Sequence, residues 1–326
     1  AARRWQAEGH QVLFSALDRE MILHLLEVYQ LPYRVTYRRR KGKLALPVEL
    51  LGRTWSTYRI ARRFGPDLFV SFGNPTVGLP AWLLGKPYLA LTDTEFAPEQ
   101  HALFKPFATV IATPTAFQGS LGPKQVRYAG YHELAYLHPD EFTPDPSILE
   151  EVGLVPGDRF FMVRLVAWGS SHDVGQHGLR PEEKRQIVLE LARQGRVLLS
   201  AEGEIDPELR PFVTTFPPET IHHLLAFAAL YIGEGGTLLT EAALLGTPAI
   251  LVSSLRAGNW YELSENYGLM FLCRNGQEAL DKALELLAMP DLKQQWAGRR
   301  TRMLAEKINP TPWLVELGDR LLQRGW

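Results

Sequence analysis

Short apolar runs alternate with helical patterns along almost the whole chain, and that alternation most restricts the fold. A strand followed by a helix, repeated, builds a parallel sheet with helices on its faces. In the first half, strands are expected near Gln11–Ala16, Tyr33–Tyr37, Leu68–Phe72, Tyr88–Leu91, Val110–Ala112 and Gln125–Ala129. Helices are expected at Arg19–Gln30, Pro47–Phe64 and Thr76–Leu84. From His138 to Pro146 the text turns to Pro, Asp and Phe, a linker composition. A second series then runs through strands at Phe160–Val166, Val197–Ser200, Val213–Thr215, Leu230–Gly233, Ala249–Val252 and Leu269–Leu272. Its helices are expected at Pro181–Gln194, Pro218–Phe227, Thr237–Leu245 and Gln277–Leu287, with Pro310 and Pro312 breaking the tail before a last helix, Trp313–Gln323. The expectation is α/β: two doubly wound, Rossmann-type parallel-sheet domains facing a cleft. Residues 1–143 form the first, 144–305 the second, and 306–326 a C-terminal helix packing back on the first. Residues 1–8 read as the second half of a helix, so a preceding strand and loop are expected to belong to the first domain.

The most chemical segment is Gly233-Glu234-Gly235-Gly236-Thr237, with Glu241 four residues on and then Gly246-Thr247-Pro248. An apolar run lies before it. Leu238, Leu239, Ala242, Ala243 and Leu245 follow at helical spacing. The glycines therefore sit where a strand becomes a helix, with Thr237 as the expected N-cap. Such a turn presents backbone N–H groups and the positive end of a helix dipole, which suits a phosphate. Glu241 lies one turn in, and helical side chains lean toward the N-terminus. A carboxylate beside a phosphate site makes sense if it accepts hydrogen bonds from a ribose, as in dinucleotide folds. The bland alternative is a tight turn followed by a solvated glutamate. No Lys-Ser/Thr follows the glycines, so this is no P-loop, and Leu238 stands where a G-x-G-x-x-G motif needs its third glycine.

Composition narrows the classes. The chain has 326 residues, 46% hydrophobic and 22% charged, with one cysteine, Cys273, which excludes a disulfide framework and fits a cytoplasmic protein. No apolar run approaches the ~18 residues of a membrane span. Charge is segregated: residues 31–63 hold ten basic side chains against Glu49 alone, a local charge of +9 in a chain of net charge −1. That patch points to a polyanionic partner, an anionic membrane surface or nucleic acid. No nucleic-acid motif accompanies it, so the membrane is the favoured partner.

Loops after the strands carry the remaining candidates. Asp93 and Glu95 follow one strand; Ser170, Ser171, His172 and Asp173 follow another, and Glu202 a third. Gly73-Asn74-Pro75-Thr76 offers a further helix start. His222 and His223 are adjacent on a helix and point different ways, so they make no metal site. Neither HExxH nor a cysteine pair is present, no Gly-x-Ser-x-Gly elbow occurs, and Cys273 reads as a packed residue.

The stretch Gly-Glu-Gly-Gly-Thr-x3-Glu-Ala-Ala-x-Leu-Gly-Thr-Pro (233–248) resembles the donor-site signature of GT-B glycosyltransferases. It is also similar to that of non-hydrolysing UDP-N-acetylglucosamine 2-epimerases and of the lipid-II-forming N-acetylglucosaminyltransferase group. Gly9-His10-x-Val12, Asp93-Thr94-Glu95, the run from Tyr128 to Pro139, and Trp168 to Gly175 look like the domain-of-unknown-function family 354. The resemblance implies a diphosphate on Gly235, Gly236 and Thr237 and a ribose on Glu241. It implies cleft carboxylates at Asp93 and Glu95. Where the epimerases carry a His-Arg pair, this chain reads Ser171-His172-Asp173. The function expected is transfer of a sugar from a nucleotide diphosphate sugar, foremost a UDP-sugar, to an acceptor whose identity is open between a lipid-linked and a soluble one. Arg164, Ser170, Ser171 and Glu202 are assigned to the substrate, Asp93 or Glu95 to the acceptor proton, and His172 and Asp173 to the catalytic set, His172 joining Arg164 and Ser170 in neutralising the leaving diphosphate. No metal or other cofactor is expected. The alternatives are a nucleotide-sugar 2-epimerase and a non-catalytic nucleotide-sugar-binding protein.

Overall fold

The computed structural model describes residues 1–36, 45–166 and 178–323. The chain divides into two compact units, residues 1–135 with 309–326, and residues 136–308.

The first unit opens with α1 (Ala2–Ala7), β1 (Phe14–Ala16), α2 (Glu20–Val28), β2 (Tyr33–Val35) and α3 (Ala45–Phe64). It continues through β3 (Phe69–Phe72), α4 (Gly78–Leu83), β4 (Tyr88–Leu91), α5 (Pro98–Phe104), β5 (Val110–Pro114) and β6 (Gln125–Tyr128). Strands β3-β4-β5-β6 form a parallel sheet in that order, with Phe69 opposite Tyr88 and Leu89 opposite Val110, while β1 and β2 make a separate parallel pair. Every residue of β4 and β5 is buried, as expected of strands covered on both faces. The short α6 (Leu134–Leu137) leads onward.

The second unit holds α7 (Ile148–Glu151), β7 (Phe160–Leu165), α8 (Pro181–Ala192), β8 (Arg196–Ala201), α9 (Ile221–Phe227), β9 (Leu230–Gly233) and α10 (Gly236–Leu245). Then come β10 (Ala249–Val252), α11 (Gly258–Tyr261) running into a π-helical turn, β11 (Met270–Cys273), α12 (Gly276–Leu287) and α13 (Leu292–Glu306). Its five parallel strands are ordered β11-β10-β9-β7-β8. From β7 the chain first adds β8 on one side and then returns to add β9, β10 and β11 on the other. Strand order thus reverses between β7 and β9, which pair with Arg164 opposite Gly233. A crevice opens beyond the strand ends at such a point, and ligands of open α/β sheets bind there.

The last helix, α14 (Pro310–Gln323), belongs to the first unit, where its Leu314 and Leu321 pack with Leu89, Val110 and Tyr128. Several local expectations change. Pro310 and Pro312 do not end a helix but begin one, because the first turn needs no N–H from them, and Asn309 Oδ1 accepts the Thr311 N–H at 2.9 Å. Thr237 is not the N-cap of α10: Gly235 is, with no side-chain cap, and Thr237 is exposed in the first turn. The helix start at residues 73–76 is instead a local turn, with Asn74 Oδ1 accepting both the backbone N–H and the hydroxyl of Thr76. Val213 contributes only an isolated bridge to Leu199. α5 and α11 have no counterpart in the sequence reading, both too short for a period to show.

Arg38, Arg39, Arg40, Lys41 and Lys43 of the basic segment lie outside the described residues, as do Ser170, Ser171, His172 and Asp173. Among the described residues no helix is long and apolar enough to cross a membrane.

Candidate functional site

At the reversal point of the second sheet, β9 ends in Gly233, and α10 starts three residues later, at Gly236. Ten residues long, α10 stops at Gly246, whose φ of +86° a side chain would resist. Its first N–H groups have no partner within the helix, and no side chain caps them. The glycines there have separate reasons. A Cβ on Gly236 would fall 1.9 Å from Cζ2 of Trp260, so the indole packs on the bare helix start. A Cβ on Gly235 would meet only Val166 Cγ1, at 3.8 Å, and Gly235 has an ordinary extended backbone, φ −101°. Gly236→Ala is therefore expected to cost ~1–3 kcal/mol by overpacking, read in urea denaturation. Gly235→Ala should leave stability within about 0.5 kcal/mol, so that any loss of ligand affinity there reports a ligand. A destabilised Gly235→Ala would show that this glycine serves the fold.

Glu234, which the sequence reading passed over, is buried and accepts two backbone N–H groups. Its Oε2 accepts from Val166 N–H at 3.0 Å, its Oε1 from Leu179 N–H at 2.8 Å, and Lys184 Nζ lies 3.2 Å away. The two ends of the segment carrying Ser170 to Asp173 are thus tied to the residue between the two glycines. Arg164, at the end of β7, donates to the Ser200 hydroxyl at 2.6 Å and to Glu202, so those two assigned residues form an ion pair across β7 and β8.

Glu241 is buried, and its side chain is 6% exposed. Its Oε1 accepts from the Tyr136 hydroxyl at 2.8 Å and lies 3.2 Å from His222 Nε2. Its Oε2 is shut off from solvent with no hydrogen-bond partner. Sequence reasoning missed both partners. Tyr136 stood inside the Tyr128–Pro139 stretch, but nothing in its spacing points at Glu241. His222 and His223 do diverge: His222 faces Glu241, while His223 Nδ1 accepts the Asp145 N–H at 2.8 Å. Nearby, the Tyr231 hydroxyl is also buried without a partner, and burial pushes its pKa well up.

In the first unit Asp93 and Glu95 follow β4. Burial, with Glu95 close by, raises the Asp93 pKa to about 6, against the bond that Asp93 Oδ1 accepts from the Thr94 hydroxyl at 3.2 Å. Glu95 Oε1 accepts the Gln118 N–H at 3.0 Å and so holds a loop. After β6, His132 stacks on Phe72 at 4.1 Å, its Nδ1 is buried without a partner, and burial lowers its pKa to about 4. Among the described residues, Glu8, His10 and Asp319 place His and carboxylate ligand atoms within 4.8 Å of one another, but they lie toward the surface, and Asp319 already accepts from Trp5 Nε1. The Cys273 thiol is buried, and burial raises its pKa to about 11. It is a packed residue.

No protein-family model and no curated protein matches the chain. Solved structures do. The glycosyltransferase SnogD from Streptomyces nogalater superposes with a TM-score of 0.62 at 17% identity, covering 97% of this chain and 94% of that one. A Streptomyces glycosyltransferase, SsfS6, complexed with thymidine diphosphate gives 0.63 at 14% identity, covering 97% and 94%. The UDP-GlcNAc 2-epimerase from Neisseria meningitidis bound to UDP-GlcNAc gives 0.64 at 14% identity, covering 96% and 93%. The fold is that of the GT-B glycosyltransferases and UDP-GlcNAc 2-epimerases: two Rossmann-like α/β domains in one chain.

Proposed function

We propose that the second unit binds a nucleoside diphosphate sugar and that the chain transfers the sugar to an acceptor hydroxyl. One observation carries this reading. Glu241 keeps a buried carboxylate oxygen without a donor, one turn into a helix whose uncapped start lies at the strand-order reversal. A buried acceptor left unsatisfied costs about 1–3 kcal/mol, so the arrangement suits a ligand that donates a hydroxyl there. The diphosphate lies on the N–H groups of Gly235, Gly236 and Thr237, and a ribose hydroxyl donates to Glu241. Because its side chain is 6% exposed, the carboxylate has to turn to meet the ribose, and the exposed Tyr136 is the partner best able to follow.

In the reaction the acceptor oxygen bonds to the sugar's anomeric carbon as the bond from that carbon to the diphosphate oxygen breaks. Asp93 takes the acceptor proton; a carboxylate of pKa about 6 is ionised at neutral pH yet basic enough for the task. Arg164, with Ser170, Ser171 and His172 from the segment that follows β7 in sequence, carries the charge that gathers on the departing diphosphate, and Glu202 orients Arg164. Glu95 supports the loop beside Asp93, and Asp173 completes the polar set. Kinship with the domain-of-unknown-function family 354, a UDP-sugar as the donor, a lipid-linked acceptor and a cytoplasmic setting at the inner face of the membrane all belong to this proposal. Resident metal and cofactor have no part in it.

The fold equally accommodates a nucleotide-sugar 2-epimerase, and the raised pKa of Asp93 suits proton abstraction from a sugar carbon as well. Incubating the full chain with UDP-N-acetylglucosamine alone separates the two. Transfer predicts no altered sugar without an acceptor; a new epimer in the product spectrum would establish the second reading. Calorimetry with UDP tests both at once, since absence of binding removes the nucleotide site itself.

A further inference from the structure

An α-helix on a soluble domain ordinarily turns its apolar stripe inward and its polar stripe to water. α3 departs from that rule over its first half. Positions 48, 51, 55, 59 and 62 fall on one face by helical spacing, and all five are exposed. The stripe begins Val48, Leu51, Trp55, with Leu51 70% and Trp55 60% exposed, and ends Arg59, Arg62, with the exposed Arg63 beside it. The inward positions Thr57 and Ala61 are the buried ones. The Trp55 indole stacks on Tyr58 at 5.4 Å, which fixes its direction. The one acidic residue of the helix, Glu49, lies 3.7 Å from Arg53, so its charge is spent within the helix. α4, packed against α3, ends in two more exposed apolar residues, Trp82 and Leu83.

We propose that the outward face of α3 is a docking surface for an anionic lipid bilayer, with Val48, Leu51 and Trp55 entering the headgroup layer and Arg59, Arg62 and Arg63 meeting the lipid phosphates. The charge complementarity decides the occupant. A helix that lies in the interface carries apolar and tryptophan side chains beside cationic ones, and tryptophan favours the boundary between apolar and wet surroundings. A second copy of this chain would set the same three arginines against each other, and like charges at a contact disfavour it. The inference rests on the proposed lipid-linked acceptor only for its purpose. Its physical basis lies wholly in α3 and α4.

The test is co-sedimentation of the full chain with phosphatidylglycerol-containing vesicles and with pure phosphatidylcholine vesicles, at low and high salt. Wild type should bind the anionic vesicles and release them as salt screens the charge. Arg59→Gln with Arg62→Gln and Arg63→Gln should lower vesicle partitioning roughly hundredfold, at about fivefold for each basic residue near the surface. Leu51→Ser with Trp55→Ser should lower it at least about tenfold. Those side chains are exposed, so folding should survive, and circular dichroism with UDP calorimetry checks it. Vesicle binding lost while UDP affinity is kept supports the docking face. Equal binding to both vesicle types, or variants that bind as wild type, would overturn it. Dimerisation abolished by the same variants would assign the face to a second copy. Loss of UDP binding in wild type would sink the donor site without touching this proposal.

Discussion

Glu241→Gln is expected to weaken UDP binding about ten- to a hundredfold, the equivalent of the ~1.5–3 kcal/mol that a hydrogen bond to a charged acceptor contributes. Glutamine keeps the length of the side chain and can still accept from Tyr136, so the fold should hold while the charged acceptor is lost. Calorimetry with UDP, beside a thermal melt, measures both effects. Thymidine diphosphate is a useful second ligand. It lacks one ribose hydroxyl, and with Oε1 already shared by Tyr136 and His222, Glu241 has mainly Oε2 to offer. The two nucleotides should therefore bind within about tenfold of each other, a difference smaller than one charged hydrogen bond. Equal UDP affinity in wild type and Glu241→Gln would remove Glu241 from the site.

Asp93→Asn should lower kcat by about a hundredfold or more with little change in donor affinity, as expected on removing a general base. In wild type the rate should climb as pH rises through about 6 and then level off, because the ionised form is the active one. The variant should lose that limb. Stability moves the other way. The folded-state pKa of Asp93 lies above the ordinary value of 3.8, chiefly through burial. Below about 4 the carboxyl is protonated in both states. Between about 4 and 6 only the unfolded chain ionises, so stability falls as pH rises through that window and the loss persists above it. Asp93→Asn carries no such burden, so its Tm should exceed that of wild type at pH 7 and match it near pH 4. A residue that serves only the fold would not combine lost turnover with a raised Tm. If turnover is unaffected in Asp93→Asn, the base is another group, and His132 with its unpartnered Nδ1 is the next to test.

Features that depend on neighbours along the chain were legible in the residues alone. Alternating apolar runs and helical patterns specified two series of βα units. The strands at Tyr88–Leu91, Leu230–Gly233 and Ala249–Val252 are found with those bounds, because each is a short apolar run closed by turn residues and buried on both faces. The glycine-rich turn into α10 was legible for the same reason: a strand, a break and a helix follow one another without a gap. Short elements such as α5 were not, since seven residues hold too few repeats for a period to emerge. Tertiary structure decided the rest. Strand order in the second sheet depends on which side of β7 each crossover returns to, and only that order puts Arg164 beside Gly233. Gly236 is required by Trp260, 24 residues away, and Glu241 is held by Tyr136, 105 residues away. Glu234 reads as one more polar residue in a loop until Val166 and Leu179 are seen to donate to it. The inverted stripe of α3 looks like an ordinary mixture of apolar and basic residues until packing shows which side faces inward. Periodicity is a local property that a single segment can display. The partner of a buried polar group, or the outward face of a helix, is fixed only when distant segments close around it and leave that group nowhere else to bond.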